Sequence, residues 1–307
     1  MKKIIPSLAV LATLASATHA QVWINEALTN PNGSDTGNEY FELRGTPSFS
    51  LSGYYLLSVE GGGTTARGDI NQFFDLGTFA IGANGFLFAQ QSGSPYTATA
   101  PGAAVIQNTV GTGWGLTGAS TVGHNGDGTQ VDLENGSTTL LLISRGVGAA
   151  PTLTDDLDSD DNGLLELPAG WSIVDSVGII DGAATQAATD FSYGAITLRV
   201  GGTATGSSAN GNIVDVPGTP PTTAGAFYVG RKGDSTGSTA DDWFGAILNG
   251  SAADPLNITF ASTSDAFYQG KITPDMAYGG ANAVPEPGTL ALLGLACLGA
   301  FLHRKRQ

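Results

Sequence analysis

The chain has 307 residues, 45 of them glycine, with 27 acidic against 12 basic side chains. Every acidic residue lies between Gln21 and Pro287, accompanied by only seven of the basic ones; this stretch carries a formal charge of −20, repels phosphates and anionic lipid, and is no nucleic-acid binder. Its composition also excludes a disulfide, a thiol nucleophile and a zinc knuckle, because the one cysteine, Cys297, and two of the three histidines lie in the end segments.

The N-terminus, "MKKIIPSLAVLATLASATHA", joins two lysines to an apolar run that ends in the small residues Thr18 and Ala20. This is the pattern of a secretory signal cut after Ala20, so residues 1–20 are read as leader and 21–283 as the secreted body. The body is about 265 residues, one large or two small domains by length. No segment keeps apolar residues at helical spacing for three turns without meeting glycine or proline, which predicts an all-β class.

In chain order, strands are predicted in "VWINEAL", "NEYFELRG" and "SGYYLLSVE". "FFDLGTFAIGANGFLFAQQ" predicts a hairpin turning at Asn84-Gly85, where a type I′ turn needs positive φ at both central residues. "TQVDLENGSTTLLLIS" predicts a second hairpin at Asn135-Gly136, and "WSIVDSVGII", "ITLRV" and "AFYVGR" complete the set. Eight or more short strands are economically buried as a two-sheet sandwich. The glutamates of "NEYFEL", Glu39 and Glu42, fall on opposite faces of a strand and cannot flank one glycosidic bond. His124, the body's one histidine, is expected in an exposed loop, and no G-x-S-x-G elbow accompanies it. Trp23, Trp114, Trp171 and Trp243 are expected to pack in the core or at strand ends.

One stretch has pointed chemistry. In "TDDLDSDDNGLLELPAGW", the positions Asp158, Asp160, Asn162 and Gly163 follow D-x-D-x-N-G, the start of a calcium loop. Alternating oxygens would wrap a hard cation, with the Leu164 carbonyl as a further ligand. Ala169 replaces the closing bidentate glutamate, a place that Asp156 or Glu166 could fill. The two readings are a structural Ca2+ site and an acidic surface loop whose Asp and Asn side chains make local turns.

The opening "VWINEALTNPNGSDTGNEYFELRGTPSFSLSGYYLL", with "WSIVDSVGIIDG", "FYVGRKGDSTGSTADDWFGA" and "ITPDMAYGGAN" after it, resembles the lamin-tail domain of secreted bacterial proteins. The resemblance implies an immunoglobulin-like β-sandwich that is not an enzyme but a binding or attachment module. The extra length is expected in insertions: "GGGTTARGDINQ", Ser92 to Asp132, and Gly146 to Gly170.

The chain ends "AVPEPGTLALLGLACLGAFLHRKRQ". Thr289 to Leu302 carry no charge and would make a helix of about 21 Å, short against roughly 30 Å of hydrocarbon. The basic tip Arg304, Lys305 and Arg306 would stay cytoplasmic. Val284-Pro285-Glu286-Pro287, the apolar run and the basic tip together resemble the PEP-CTERM sorting signal. That resemblance implies recognition and cleavage by an exosortase, transient contact with the inner membrane, and delivery to the surface or matrix of a Gram-negative bacterium. The sequence as a whole is read as a non-catalytic surface or biofilm-matrix protein that binds or scaffolds polysaccharide or protein. The alternatives are a carboxylate- or calcium-dependent hydrolase of matrix polymers and a calcium-stabilised spacer.

Overall fold

The computed structural model describes residues 22–284, apart from 32, 64–65, 129, 181–187, 201–205, 219–226, 250–254 and 273–274. The predicted leader and the apolar C-terminal helix lie outside the described residues. Within them the chain is all-β, with one 3-10 turn at Pro255–Asn257 and no helix long and apolar enough to cross a membrane.

Sixteen strands form among the described residues. One seven-stranded sheet contains β1 (Val22–Asn30), β2 (Tyr40–Gly45), β5 (Phe86–Gln90), β6 (Ala104–Gln107), β14 (Phe227–Arg231), β15 (Trp243–Asn249) and β16 (Thr259–Thr263), in the order β16-β15-β14-β1-β2-β5-β6. The second contains β3 (Tyr54–Glu60), β4 (Ile70–Asp75), β7 (His124–Asn125), β8 (Thr138–Ser144), β9 (Ser172–Ile180), β11 (Ile196–Val200) and β13 (Ile213–Val216), in the order β13-β11-β9-β8-β3-β4-β7. A short pair, β10 (Phe191–Ser192) with β12 (Ser207–Ser208), stands apart.

The two large sheets share one apolar core. Ile24, Phe41, Leu43, Leu87 and Val229 from the first meet Leu56, Phe74, Leu140, Leu142 and Val177 from the second, as the two-residue period of a strand dictates. Their outer faces are also covered. Leu28, Tyr40, Phe88, Tyr228 and Phe260 pack with Ile258, Tyr268, Met276 and Tyr278 on one side. Tyr55, Leu57, Leu141 and Ile143 pack with Leu157, Trp171 and Tyr193 on the other. Strands buried on both faces read as continuous apolar runs, which accounts for "TTLLLIS" in β8.

Between Ser172 and Val216 the pairing departs from an antiparallel sandwich. β9, β11 and β13 run parallel, as do β10 and β12. Phe191 pairs with Ser207 and Thr197 with Ile213, each sixteen positions on, so the chain winds there as a solenoid-like coil. Gly178 permits the close approach: a Cβ there would stand 1.6 Å from Ser192 Oγ.

Both predicted hairpins are corrected. The strands flanking Asn84-Gly85 belong to different sheets, and only Gly85 takes positive φ (94°). Asn84 instead caps the start of β5, its Oδ1 accepting the Phe86 N–H at 3.0 Å. At Asn135-Gly136 neither residue has positive φ, and β8 pairs with β3 and β9 rather than with a strand just before the turn. Asn-Gly reports a local bend, while its pairing is decided by which apolar faces are available.

Candidate functional site: an aromatic cleft on the outer face of one sheet

The outer face of the first sheet is ordered in rows. Trp23 of β1 stands opposite Arg44 of β2, and Arg44 opposite Phe86 of β5. In the next row Glu26 faces Glu42, and Glu42 faces Phe88. The C-terminal segment crosses this second row: Gly279 N–H donates to Glu42 Oε2, Asn25 Nδ2 to the Gly280 carbonyl at 3.4 Å, and Asn282 Nδ2 to the Arg231 carbonyl at 3.0 Å. It also meets the edge of the first row, where Asn84 Nδ2 donates to the Gly279 carbonyl at 2.8 Å.

There a cleft of about 270 Å³ opens, lined by Trp23, Arg44, Pro47, Asn84, Phe86, Asp234 and Thr236 with Gly45 and Gly85. The Trp23 and Phe86 side chains are partly exposed. Arg44 forms the floor, with its guanidinium carbon 5.6 Å from the Trp23 ring centre. Nη1 donates to the Gly233 carbonyl at 3.1 Å and Nη2 to those of Asp234 (2.6 Å) and Ser235. The Asp234 carboxylate lies 3.7 Å from Nη1 and is 93% exposed. Nε has no hydrogen-bond partner among the described residues. Burial, reinforced by Arg231, lowers the Arg44 pKa from its ordinary value. The arrangement offers two aromatic surfaces on either side of a buried guanidinium, with an exposed carboxylate beside them, which is equipment for binding.

Of the four tryptophans, Trp114 and Trp243 are fully buried and Trp171 nearly so, as expected, whereas Trp23 lines the cleft. Its sequence signal was its register: in "VWINEAL" it alternates with the core residues Val22 and Ile24 and so points outward.

The acidic loop folds on itself. Asp158 is fully buried; its Oδ1 accepts the Asn162 N–H at 2.9 Å, and its Oδ2 accepts the Gly163 N–H at 2.9 Å and the Tyr193 hydroxyl at 2.6 Å. Asp156 Oδ1 accepts the Asp158 N–H, Asp160 Oδ1 the Asn162 N–H and Asn162 Oδ1 the Leu164 N–H, while Glu166 accepts from the Ser159 hydroxyl. Asp161 (φ 53°) and Gly163 (φ 85°) make the sharp turn. Both Asp158 oxygens and one oxygen each of Asp156, Asp160, Asn162 and Glu166 accept from N–H or O–H donors of the loop and of Tyr193, and among the described residues no group of three or more His, Cys, Asp or Glu side chains is placed to hold a metal.

His124 is corrected from exposed to buried. Its ring lies 5.1 Å from that of Phe74, and Nδ1 donates to the Gly115 carbonyl at 2.7 Å. Burial lowers its pKa. Glu39 and Glu42 do take opposite faces, yet both are buried, which the sequence reading missed. Glu39 Oε2 gathers Trp114 Nε1 (2.7 Å), Gln91 Nε2 (2.8 Å) and the Leu133 N–H (2.8 Å), pinning the insertion after Ser92 to β2. Glu26 Oε2 accepts the Tyr228 hydroxyl at 2.6 Å, and Glu42 Oε1 accepts from Asn25 at 2.7 Å. Burial raises Glu26 to about 7 and holds Glu39 and Glu42 well above the usual carboxylate range.

Val284 is exposed and lies against Gly233, beside the Asp234 wall of the cleft. Pro285, Glu286, Pro287 and the basic tip lie outside the described residues. Residues 283–306 match the PEP-CTERM protein-sorting motif, a match that supports exosortase processing and is consistent with export to the surface of a Gram-negative bacterium. No curated protein and no solved structure matches the chain.

Proposed function

We propose that this chain is a non-catalytic surface or biofilm-matrix protein, sorted by an exosortase, whose β-body binds or scaffolds extracellular polysaccharide or protein. The observation that carries the reading is the sorting motif at 283–306 placed directly after a folded body. The open aromatic cleft supplies the binding surface. Burial of His124, Glu26, Glu39 and Glu42 supports a non-catalytic role, since none of these groups meets solvent where a substrate would arrive. An immunoglobulin-like, lamin-tail-like sandwich belongs to the same proposal. Two sheets facing one core support it, and the parallel coil over 172–216 is an elaboration on that plan.

The intact mass of protein recovered from the host's envelope and medium tests the sorting. A C-terminus near Pro285–Gly288 is expected; a mass that retains Arg304 to Gln307 overturns delivery to the surface. Calcium binding by Asp156, Asp158, Asp160, Asn162, Leu164 and Glu166 is tested by melting. Because the Asp158 carboxylate closes the loop through N–H donors, Asp158→Ala is expected to lower Tm by roughly 5–10 °C, equally in calcium and in chelator. A calcium-dependent gain in the parent that vanishes in the variant would make the loop a cation site.

A further inference from the structure

Resting on the binding reading above, we infer that the cleft takes a neutral, extended β-linked glycan laid across the strands. Trp23 and Phe86 flank Arg44 in register on three neighbouring strands. Two strand spacings separate the aromatic residues by about 10 Å. That is close to the length of two linked pyranose rings. In a β-linked chain with near-twofold symmetry, alternate rings turn the same face downward, so two of them can rest their C–H faces on Trp23 and Phe86. The ring between them lies over Arg44.

The polar groups suit hydroxyls. The Asp234 carboxylate and the Thr236 hydroxyl line the walls and are exposed, whereas Arg44 Nε is buried and Asn84 is already engaged by the Gly279 carbonyl and the Phe86 N–H. Such a site, apolar surfaces with a few placed polar groups, orients a ligand without needing charge. Charge decides against an acidic glycan. Arg44 already spends its Nη groups on three carbonyls and has the exposed Asp234 carboxylate 3.7 Å away, while the surrounding body is at −20. A uronate chain would be repelled on approach and would meet Asp234 on arrival.

The test is calorimetric titration of the mature protein, recovered from its host, with a neutral β-linked glucan hexasaccharide and with an oligogalacturonate of the same length. The parent is expected to bind the neutral sugar with at least a tenfold preference, little affected by salt. Trp23→Ala and Phe86→Ala are each expected to weaken it tenfold or more; both side chains are partly buried, so the melt of each variant confirms a folded protein at the titration temperature. Asp234→Asn is expected to leave the neutral sugar bound and to narrow its lead over the uronate. Salt-sensitive preference for the uronate overturns the inference, and so does neutral-sugar affinity unchanged in a folded Trp23→Ala/Phe86→Ala double variant. Binding of neither sugar also overturns it, while the intact-mass measurement still decides the sorting on its own.

Discussion

Glu26 and Glu42 stand opposite one another beneath the C-terminal segment, and burial works on both in one direction. A carboxyl raised from 4.5 to about 7 holds its proton in the folded chain after the unfolded chain has lost it. The folded state then binds more protons, so the stabilisation is complete below the unfolded value and is lost as pH rises through about 7. His124 runs the opposite way: with its pKa lowered by burial, its contribution is lost as pH falls below the usual imidazole range. Thermal melts from pH 5 to 8 are expected to show falling stability toward pH 8, on the order of a few kcal/mol. Glu26→Gln should flatten that decline; an equally steep decline in the variant would remove the pair as its cause. At this scale Glu26, Glu39 and Glu42 were visible in the sequence as charges within apolar runs. Their burial was not, because alternation says which face a side chain takes and not whether another segment covers that face.

Among elements, the described part of the segment from Lys271 to Val284 matters most to the outer face, because it covers the Glu26–Glu42 row and reaches Asn84 and Gly233 at the edge of the cleft. Met276 and Tyr278 complete the cluster around Tyr40 and Phe88, and Tyr278 lies 5.4 Å from Tyr40 and 5.5 Å from Phe88, ring centre to ring centre. A body ending at Gly270 is therefore expected to be about 3–6 kcal/mol less stable than one ending at Val284, from two buried side chains alone. Chemical denaturation of the two forms measures this, and equal midpoints would show that the segment is dispensable. The predicted strands at β1, β2, β3, β5, β8, β9, β11 and β14 all form, since each is a dense apolar run between turn residues. β15, "WFGAILN", is as apolar and is absent from the predicted strands. The Asn-Gly pairs mark turns whose flanking strands pair elsewhere.

At the scale of the molecule, the sheets are clamped by Asp175 of β9. Its Oδ2 accepts Arg231 Nη2 at 2.7 Å and the Ile24 N–H at 2.9 Å, and Arg231 in turn donates Nε to the Ile24 carbonyl at 2.7 Å. Arg231 is fully buried, with its guanidinium carbon 4.3 Å from the Trp243 ring centre. Asp175→Asn leaves a buried cation uncompensated and is expected to cost about 3–5 kcal/mol, read by denaturant titration. A cost below about 1 kcal/mol would mean that the hydrophobic core alone holds the sheets in register. The −20 body suits a protein kept soluble after export.

The sequence by itself determined the all-β class, half of the strands and the sorting motif, all of which are written in short contiguous patterns: two-residue alternation, turn residues, and Pro-Glu-Pro ahead of an apolar run. Only the tertiary structure decided the covering of both sheet faces, the parallel coil, the closure of the Asp158 loop by Tyr193, and the meeting of Trp23, Arg44 and Phe86. These depend on pairing between residues far apart in the chain. Pairing is chosen by the burial of whole faces at once, and a local pattern carries no record of that choice.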